Sequence, residues 1–214
     1  MFIEAVDAFR CPRSHEHTWL VASADRLEDR DIVTGELGCP VCGARYPIVD
    51  GVADFRGAAA SAASVPHGVT PAAERSERAL RAAALLGLTE PGGLVVLAGA
   101  WGEAAHEVAA LVERVHVLAI DPPAAVSSGF GVSVARAAEV LPLGPESVRA
   151  IALDAAHAGP SFLASGVDAL RPSGRLLAPA AAPVPAGIVE RVRDAHDWLG
   201  EKHDLAAIAR ARHD

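Results

Sequence analysis

The chain has 214 residues and carries 27 acidic against 19 basic side chains, a net charge of −8 with histidine neutral. Hydrophobic residues make up 51%, which supports a folded core and excludes a disordered chain. The sequence contains no apolar run of about 18 residues, so we expect no membrane-spanning helix. Its start, MFIEAVDAFRCP, lacks the basic region of a signal peptide. We therefore expect a cytoplasmic protein, and the acidic balance disfavours nucleic acid as a partner.

A pair of cysteines forms the best-defined motif of the chain. Cys39 and Cys42 lie in the sequence Cys-Pro-Val-Cys-Gly and flank a tight turn. Such a turn directs both sulfur atoms towards one metal ion, and Gly43 allows the chain to bend there. This spacing is typical of one half of a structural zinc site.

The other half of the site lies upstream and is less regular. Cys11 is followed by Ser14 where a second cysteine is expected, and serine is a poor zinc ligand. The fourth ligand is then His15 or His17, and we favour His15 because it keeps the turn short. Because all ligands are protein atoms, we expect a closed, structural Zn²⁺ site.

Short β-rich runs separated by Gly and Asp surround both half-sites, as in strand–turn–strand units. The stretch GELGCPVCGARYPIVDGVADF resembles the zinc-ribbon family typified by the small subunit that activates tRNA and release-factor methyltransferases. The resemblance covers about residues 9–56. It implies a small β-rich zinc ribbon that contacts a protein partner or self-associates.

Composition divides the remainder of the chain. We assign residues 1–57 to the zinc ribbon, residues 58–70 to a linker of small residues, and residues 71–214 to a second domain. We also expect the linker to separate two hydrophobic cores.

The second domain alternates helical and apolar segments. Helices are predicted over residues 71–88, 103–113 and 161–170, and strands over residues 94–98, 115–120, 131–134, 148–153 and 174–178. Strands that are apolar on both faces and alternate with helices predict an α/β fold, a Rossmann-like doubly wound and mostly parallel sheet. Trp198 is predicted to lie in the core of a last helix, with a reduced closing hairpin over residues 200–214.

Ligands of such sheets bind at the carboxyl ends of the strands. Gly99 and Gly102 follow the first strand and Asp121 ends the second. Glycines there allow a cofactor to approach the backbone, and the acid can accept hydrogen bonds from ribose hydroxyls. A tight turn that only packs a helix on a strand would give the same glycine pattern. Asp154 and His157 follow the fourth strand at the same edge and are the candidate catalytic bases.

The segment LVVLAGAWGEAAHEVAALVERVHVLAIDPP resembles the opening of a class I S-adenosylmethionine-dependent methyltransferase, and residues 138–148 and 170–177 resemble later motifs in the family's order. The resemblance implies that S-adenosylmethionine lies over the glycine turn with its ribose on Asp121. Three positions depart from it. Leu97 and Ala137 stand where the family has acids, and Trp101 stands where it has glycine.

Three functions therefore remain open. The first is a zinc-ribbon methyltransferase acting on a small molecule or a protein. The second is a catalytically inactive pseudo-methyltransferase that serves as a binding or scaffold partner. The third is a domain for another nucleotide, such as NAD held through Asp121, which the missing Gly-x-Gly-x-x-Gly disfavours. Binding of S-adenosylmethionine discriminates between the first two.

Overall fold

The computed structural model describes residues 1–57 and 70–203, which contain three α-helices and eleven β-strands. The helices are α1 (Ala72–Leu86), α2 (Ala105–Leu111) and α3 (Pro160–Ala169). The strands are β1 (Val21–Glu28), β2 (Asp31–Gly38), β3 (Arg45–Val49), β4 (Val52–Asp54), β5 (Leu94–Ala98), β6 (His116–Ile120), β7 (Val132–Arg136), β8 (Val148–Ala152), β9 (Leu170–Pro179), β10 (Ile188–Arg193) and β11 (Asp197–Lys202). The predicted linker lies, except for Thr70, outside the described residues, as do residues 204–214. No helix of the described ranges is long and apolar enough to cross a membrane.

All eleven strands form one sheet in the order β1-β2-β3-β4-β7-β6-β5-β8-β9-β11-β10. Its centre, β7-β6-β5-β8-β9, is parallel throughout. Numbered along the chain, these five strands have the order 3-2-1-4-5, which is the doubly wound Rossmann order. The predicted α/β fold class is therefore confirmed.

The parallel strands are apolar on both faces, and each face carries its own hydrophobic cluster. Val95 and Val117 point into a cluster with residues of α1 and α2. Val96 and Leu118, one position further along each strand, point into the opposite cluster, which contains residues of α3. Because both faces of the sheet are covered, successive residues of each central strand are buried on one face or the other. This explains the continuous apolar runs of the sequence.

The end of the second domain differs from the prediction, and the expectation that Trp198 lies in a last helix is wrong. Residues 188–202 form the antiparallel hairpin β10–β11, and β11 also pairs with β9. Trp198 is fully buried in β11, and its indole N–H donates to the Ala182 carbonyl over 2.9 Å. The turn is built by Asp194, whose Oδ1 accepts the backbone N–H groups of His196 and Asp197. The closing hairpin is therefore present and lies upstream of the predicted residues 200–214.

The ribbon and the Rossmann-like sheet are joined rather than separate. β4 pairs in parallel with β7, with Val52 opposite Val134 and Ala53 opposite Ala135. Residues of the ribbon also share one hydrophobic cluster with α3 and the central strands. The expectation that a linker separates two cores is thus wrong, because the free edge of β7 is extended by the ribbon. The bounds 1–57 and 71–214 stay a prediction.

Candidate zinc site and the carboxyl edge of the sheet

The structure brings Cys11, His15, Cys39 and Cys42 together into a group that could hold a metal ion, with their ligand atoms all within 4.8 Å of one another. Cys11 Sγ lies 3.7 Å from Cys42 Sγ, and Cys39 Sγ lies 3.4 Å from His15 Nε2. Tetrahedral zinc with ordinary bond lengths separates two sulfurs by about 3.8 Å and a sulfur from a nitrogen by about 3.5 Å. The donor set and its spacing therefore fit Zn²⁺.

Hydrogen bonds around this group orient its ligands. Nδ1 of His15 lies 2.7 Å from the Glu16 carbonyl, so a proton on Nδ1 leaves Nε2 free to face the metal. The Tyr46 hydroxyl lies 3.2 Å from Cys11 Sγ and can donate to the thiolate. Sequence reasoning missed this role of Tyr46, although the residue belongs to the motif that carries the ribbon resemblance. His17 lies outside the group of four.

The tight turn between Cys39 and Cys42, which we call the cysteine knuckle, has the geometry that Gly43 predicts. Gly43 has φ +68° and donates its N–H to the Cys39 carbonyl over 3.0 Å. The backbone N–H of Ala44, together with hydrogen bonds from the neighbouring sulfurs and His15, lowers the pKa of Cys42 to about 6, although desolvation opposes this shift. A thiol with this pKa is mostly thiolate at neutral pH, which is the form that binds metal.

The second site is the carboxyl edge of the parallel strands, where the fold joins the predicted Asp121, Asp154 and His157. Nδ1 of His157 lies 2.6 Å from Asp154 Oδ1, and Nε2 lies 3.4 Å from Asp121 Oδ2. The ring therefore spans from the end of β8 to the end of β6, across the end of β5 between them. We call this arrangement the Asp–His–Asp bridge.

The Asp–His–Asp bridge fixes the charge of its members. Burial alone would lower the pKa of His157, but hydrogen bonds and charges from Asp121 and Asp154 outweigh it and raise the pKa to about 9. Desolvation likewise opposes ionisation of Asp154, yet His157 and the Ala100 N–H hold its pKa below the usual range. At neutral pH the bridge is thus an imidazolium between two carboxylates, with both ring nitrogens donating.

Gly99 and Gly102 lie in a 3₁₀ turn directly after β5. Gly99 has φ +58°, and a Cβ added there would lie 1.9 Å from Asp154 Oδ2. The carboxylate of Asp154 therefore packs against the Gly99 backbone and accepts the Ala100 N–H over 2.9 Å. A Cβ on Gly102 would lie 2.7 Å from the Pro122 side chain, so this glycine allows the turn to pack against the residue after Asp121.

Asp121 also has partners besides His157. Its Oδ2 accepts the Ala137 N–H over 3.1 Å, and the Arg136 guanidinium lies 3.9 Å from Oδ1. The side chain is only 20% exposed. The acid that the methyltransferase resemblance assigns to a ribose is thus engaged by the protein itself.

Trp101 does not close this edge. Its side chain is 8% exposed and belongs to the cluster under α1 and α2, with the Arg81 guanidinium 5.8 Å from the ring centroid. Leu97 is fully buried in the same cluster. Leu97 and Trp101 therefore extend the core on the α1 side, Ala137 belongs to the opposite cluster, and His157 covers the edge.

These positions decide how well S-adenosylmethionine fits the residues present. The cofactor is a cationic sulfonium with a free ammonium group, so carboxylates would have to hold it at this edge. Asp121 and Asp154 are instead hydrogen-bonded to His157 and to backbone N–H groups. In this arrangement the residues present do not fit the cofactor.

Comparison with known proteins gives a family for the ribbon. Residues 9–51 match the family model described as Trm112p: Trm112p-like protein. No curated protein sequence matches the chain. The family match lies within the predicted ribbon of residues 1–57 and includes all four candidate zinc ligands.

Several solved structures are similar to between about half and two thirds of the chain, at low sequence identity. Geranyl diphosphate methyltransferase in complex with SAM is 17% identical, with a TM-score of 0.39 over 48% of this chain and 48% of that chain. MycE methyltransferase from the mycinamycin biosynthetic pathway is 12% identical, with a TM-score of 0.46 over 67% of this chain and 55% of that chain. A complex with the Haloferax volcanii Trm112 methyltransferase activator contains a chain that is 17% identical, with a TM-score of 0.37 over 50% of this chain and 56% of that chain.

The chain spans about half the length of these solved structures. The fold assignment rests on the strand order, which closes after the parallel centre with β11 and then β10. The chain therefore combines a ribbon that matches the Trm112p-like model over residues 9–51 with a Rossmann-like, doubly wound sheet.

Proposed function

We propose that this chain is a zinc-binding protein that works by binding another protein and that it does not transfer methyl groups. The observation that carries the proposal is the Asp–His–Asp bridge, in which His157 contacts both Asp121 and Asp154. This corresponds to the pseudo-methyltransferase among the three functions that the sequence leaves open.

Zinc would be held by Cys11, His15, Cys39 and Cys42. With four protein ligands the ion has no open position for water or substrate, so its contribution is structural. Sites of this kind couple about 10–16 kcal/mol of metal-binding free energy to folding. Because β4 continues into the Rossmann-like sheet, zinc would stabilise the outer part of the shared sheet and not the ribbon alone.

The bridge removes the chemistry that the methyltransferase resemblance implies. An imidazolium with both nitrogens bonded to carboxylates has no lone pair with which to accept a proton. The carboxylate oxygens of Asp154 accept hydrogen bonds from His157, from the Ala100 N–H and from the backbone of the following turn. We therefore propose that Asp154 and His157 are structural residues that tie β8 to β6 rather than catalytic bases.

Charge on the second domain also favours protein over nucleic acid as a partner. Three arginines lie three residues apart along α1, and each pairs with a carboxylate. The pairs are Arg75–Glu107, Arg78–Glu103 and Arg81–Asp197. A neutralised row of this kind offers little to a phosphate backbone.

Methyl transfer is the competing function, and it requires His157 to leave the edge. Isothermal titration of the zinc-loaded chain with S-adenosylmethionine at pH 7 tests the proposal, with an active methyltransferase in the same buffer as the positive control. We expect no binding with a Kd below about 1 mM.

Micromolar binding that Asp121→Asn weakens would contradict the proposal and favour the enzyme. Micromolar binding that Asp121→Asn leaves unchanged would also contradict it, because the cofactor would then bind elsewhere. His196→Asn, a change in an exposed turn far along the chain, is the matched control.

A further inference from the structure

A small cavity lies where the ribbon meets α3 and the loop before β8. Its volume is about 160 Å³. The residues that matter for its chemistry are Arg10, Arg13, His17, Ser165 and Asp168. We call it the junction cavity. The zinc ligands Cys11 and His15 also line it, whereas Arg10, Arg13, Ser165 and Asp168 belong neither to the zinc site nor to the Asp–His–Asp bridge.

Arg10 is a buried arginine that lines the junction cavity. It is only 8% exposed, and its guanidinium carbon lies 3.2 Å from the centroid of the Trp19 ring. Its other face meets Gly144, where an added Cβ would lie 2.8 Å from the guanidinium carbon. The guanidinium is thus held between an indole and a bare backbone, and a residue larger than glycine would displace it.

The hydrogen bonds of Arg10 are confined to one nitrogen. Nη1 donates to the carbonyls of Asp7 and Phe9 over 2.8 and 2.6 Å. Within residues 1–57 and 70–203, neither Nε nor Nη2 donates to a protein acceptor. A fixed guanidinium with this pair of donors unused matches the two oxygens of a carboxylate.

The surroundings favour an anion that belongs to a polypeptide. Arg13 adds a second guanidinium to the lining, against the single carboxylate of Asp168. Trp19 is 61% exposed on the side that Arg10 does not cover, which leaves an apolar platform beside the fork. Tryptophan and arginine side by side are typical of the residues that dominate protein–protein interfaces.

We propose that the junction cavity binds a carboxylate side chain from an acidic segment of a protein partner, with Arg10 as the bidentate donor and Trp19 as the platform for the adjoining residue. This inference rests on the proposed function, because it names the chemistry of the partner. The net charge of the chain is −8, so such a segment would bind through local contacts and not through overall attraction.

The test is a nuclear magnetic resonance titration of the zinc-loaded full chain with hexaglutamate, followed at the Trp19 indole N–H and the Arg10 Nε–H. We expect saturable shifts of both signals. Arg10→Lys keeps the charge and loses the fork, so it should weaken binding at least tenfold. Arg26→Lys, an exposed arginine on β1, should leave binding unchanged.

Trp19→Ala keeps the inference testable if Arg10→Lys does not fold, because an exposed side chain can be removed without opening the core. We expect it to weaken hexaglutamate binding several-fold. Absent shifts, or equal affinity in Arg10→Lys, would overturn the inference. Equal shifts with hexalysine would overturn it too, because a guanidinium does not bind a cation. Inorganic phosphate can also bind a guanidinium through two oxygens, so phosphate binding as tight as that of hexaglutamate would overturn the assignment to a peptide carboxylate with Trp19 as its platform. The S-adenosylmethionine titration is independent of these outcomes, so failure of this inference and failure of the proposed function are distinguishable.

Discussion

The Asp–His–Asp bridge makes the stability of the fold depend on pH in a direction that can be measured. The pKa of His157 is about 9 in the folded chain and 6.5 for an unperturbed histidine. A pKa raised on folding stabilises the protein fully below the unfolded value, and this stabilisation is lost as pH rises through the folded value. The difference corresponds to about 3 kcal/mol below pH 6, about 2.5 kcal/mol at pH 7 and well under 0.5 kcal/mol at pH 9.5.

Urea unfolding of the wild type and of His157→Gln between pH 6.5 and 9.5 tests this magnitude. Other groups titrate equally in both proteins, so the quantity to compare is the difference between their free energies of unfolding. We expect that difference to shrink by about 2 kcal/mol between pH 7 and 9.5. His196→Gln, in an exposed turn, should show no such trend. A difference that stays constant or grows with pH would refute the charged bridge.

Three further predictions follow from the contacts described. Elemental analysis should find one zinc per wild-type chain and none in His15→Ala, whereas retention of zinc in His15→Ala with loss in His17→Ala would reverse the ligand choice. Trp101→Gly should destabilise the fold by about 3–5 kcal/mol in thermal unfolding and create no S-adenosylmethionine binding; a gain of binding would show that the indole blocks the cofactor. Gly51 has φ +75°, and a Cβ there would lie 3.0 Å from the Met1 nitrogen. Gly51→Ala should therefore destabilise the fold more than Gly57→Ala, because Gly57 has a similar positive φ but no atom within 4 Å of an added Cβ. Equal losses of stability would contradict the close approach beside β4.

The parallel strands could be predicted from the sequence because burial on both faces leaves a local signal. The apolar runs at residues 94–98 and 148–153 coincide with β5 and β8 to within a residue. The cysteine knuckle could likewise be predicted, since its ligands are separated by only two residues. In both cases the chemistry that defines the element lies within a short stretch of chain.

The position of the closing hairpin could not be predicted, because β11 pairs with β9, a strand outside the hairpin. In β10 the residues after Ile188 are largely exposed, so they carry charges and lack the continuous apolar run of a central strand. β11 pairs with β9, and that pairing buries Trp198. A turn around Asp194 was the local signal that could have indicated a hairpin.

The joining of ribbon and sheet could not be predicted either. β4 has only three residues, and its partner β7 lies about eighty residues further along the chain. The same holds for the edge site, where Asp121 and His157 were both singled out but their contact depends on the fold. Sequence reasoning identified the residues of the bridge, whereas their hydrogen bonds to one another depend on the order of the strands.

The most direct test of the closed edge is a nitrogen-15 magnetic resonance measurement on the ring of His157 while S-adenosylmethionine is added to the zinc-loaded chain at pH 7. We predict two protonated ring nitrogens, as expected for an imidazolium between Asp121 and Asp154, and no change in their shifts at millimolar cofactor. A neutral ring at pH 7, or shifts that saturate with the cofactor, would contradict the account, because the edge would then be open to the ligand that the bridge is proposed to exclude.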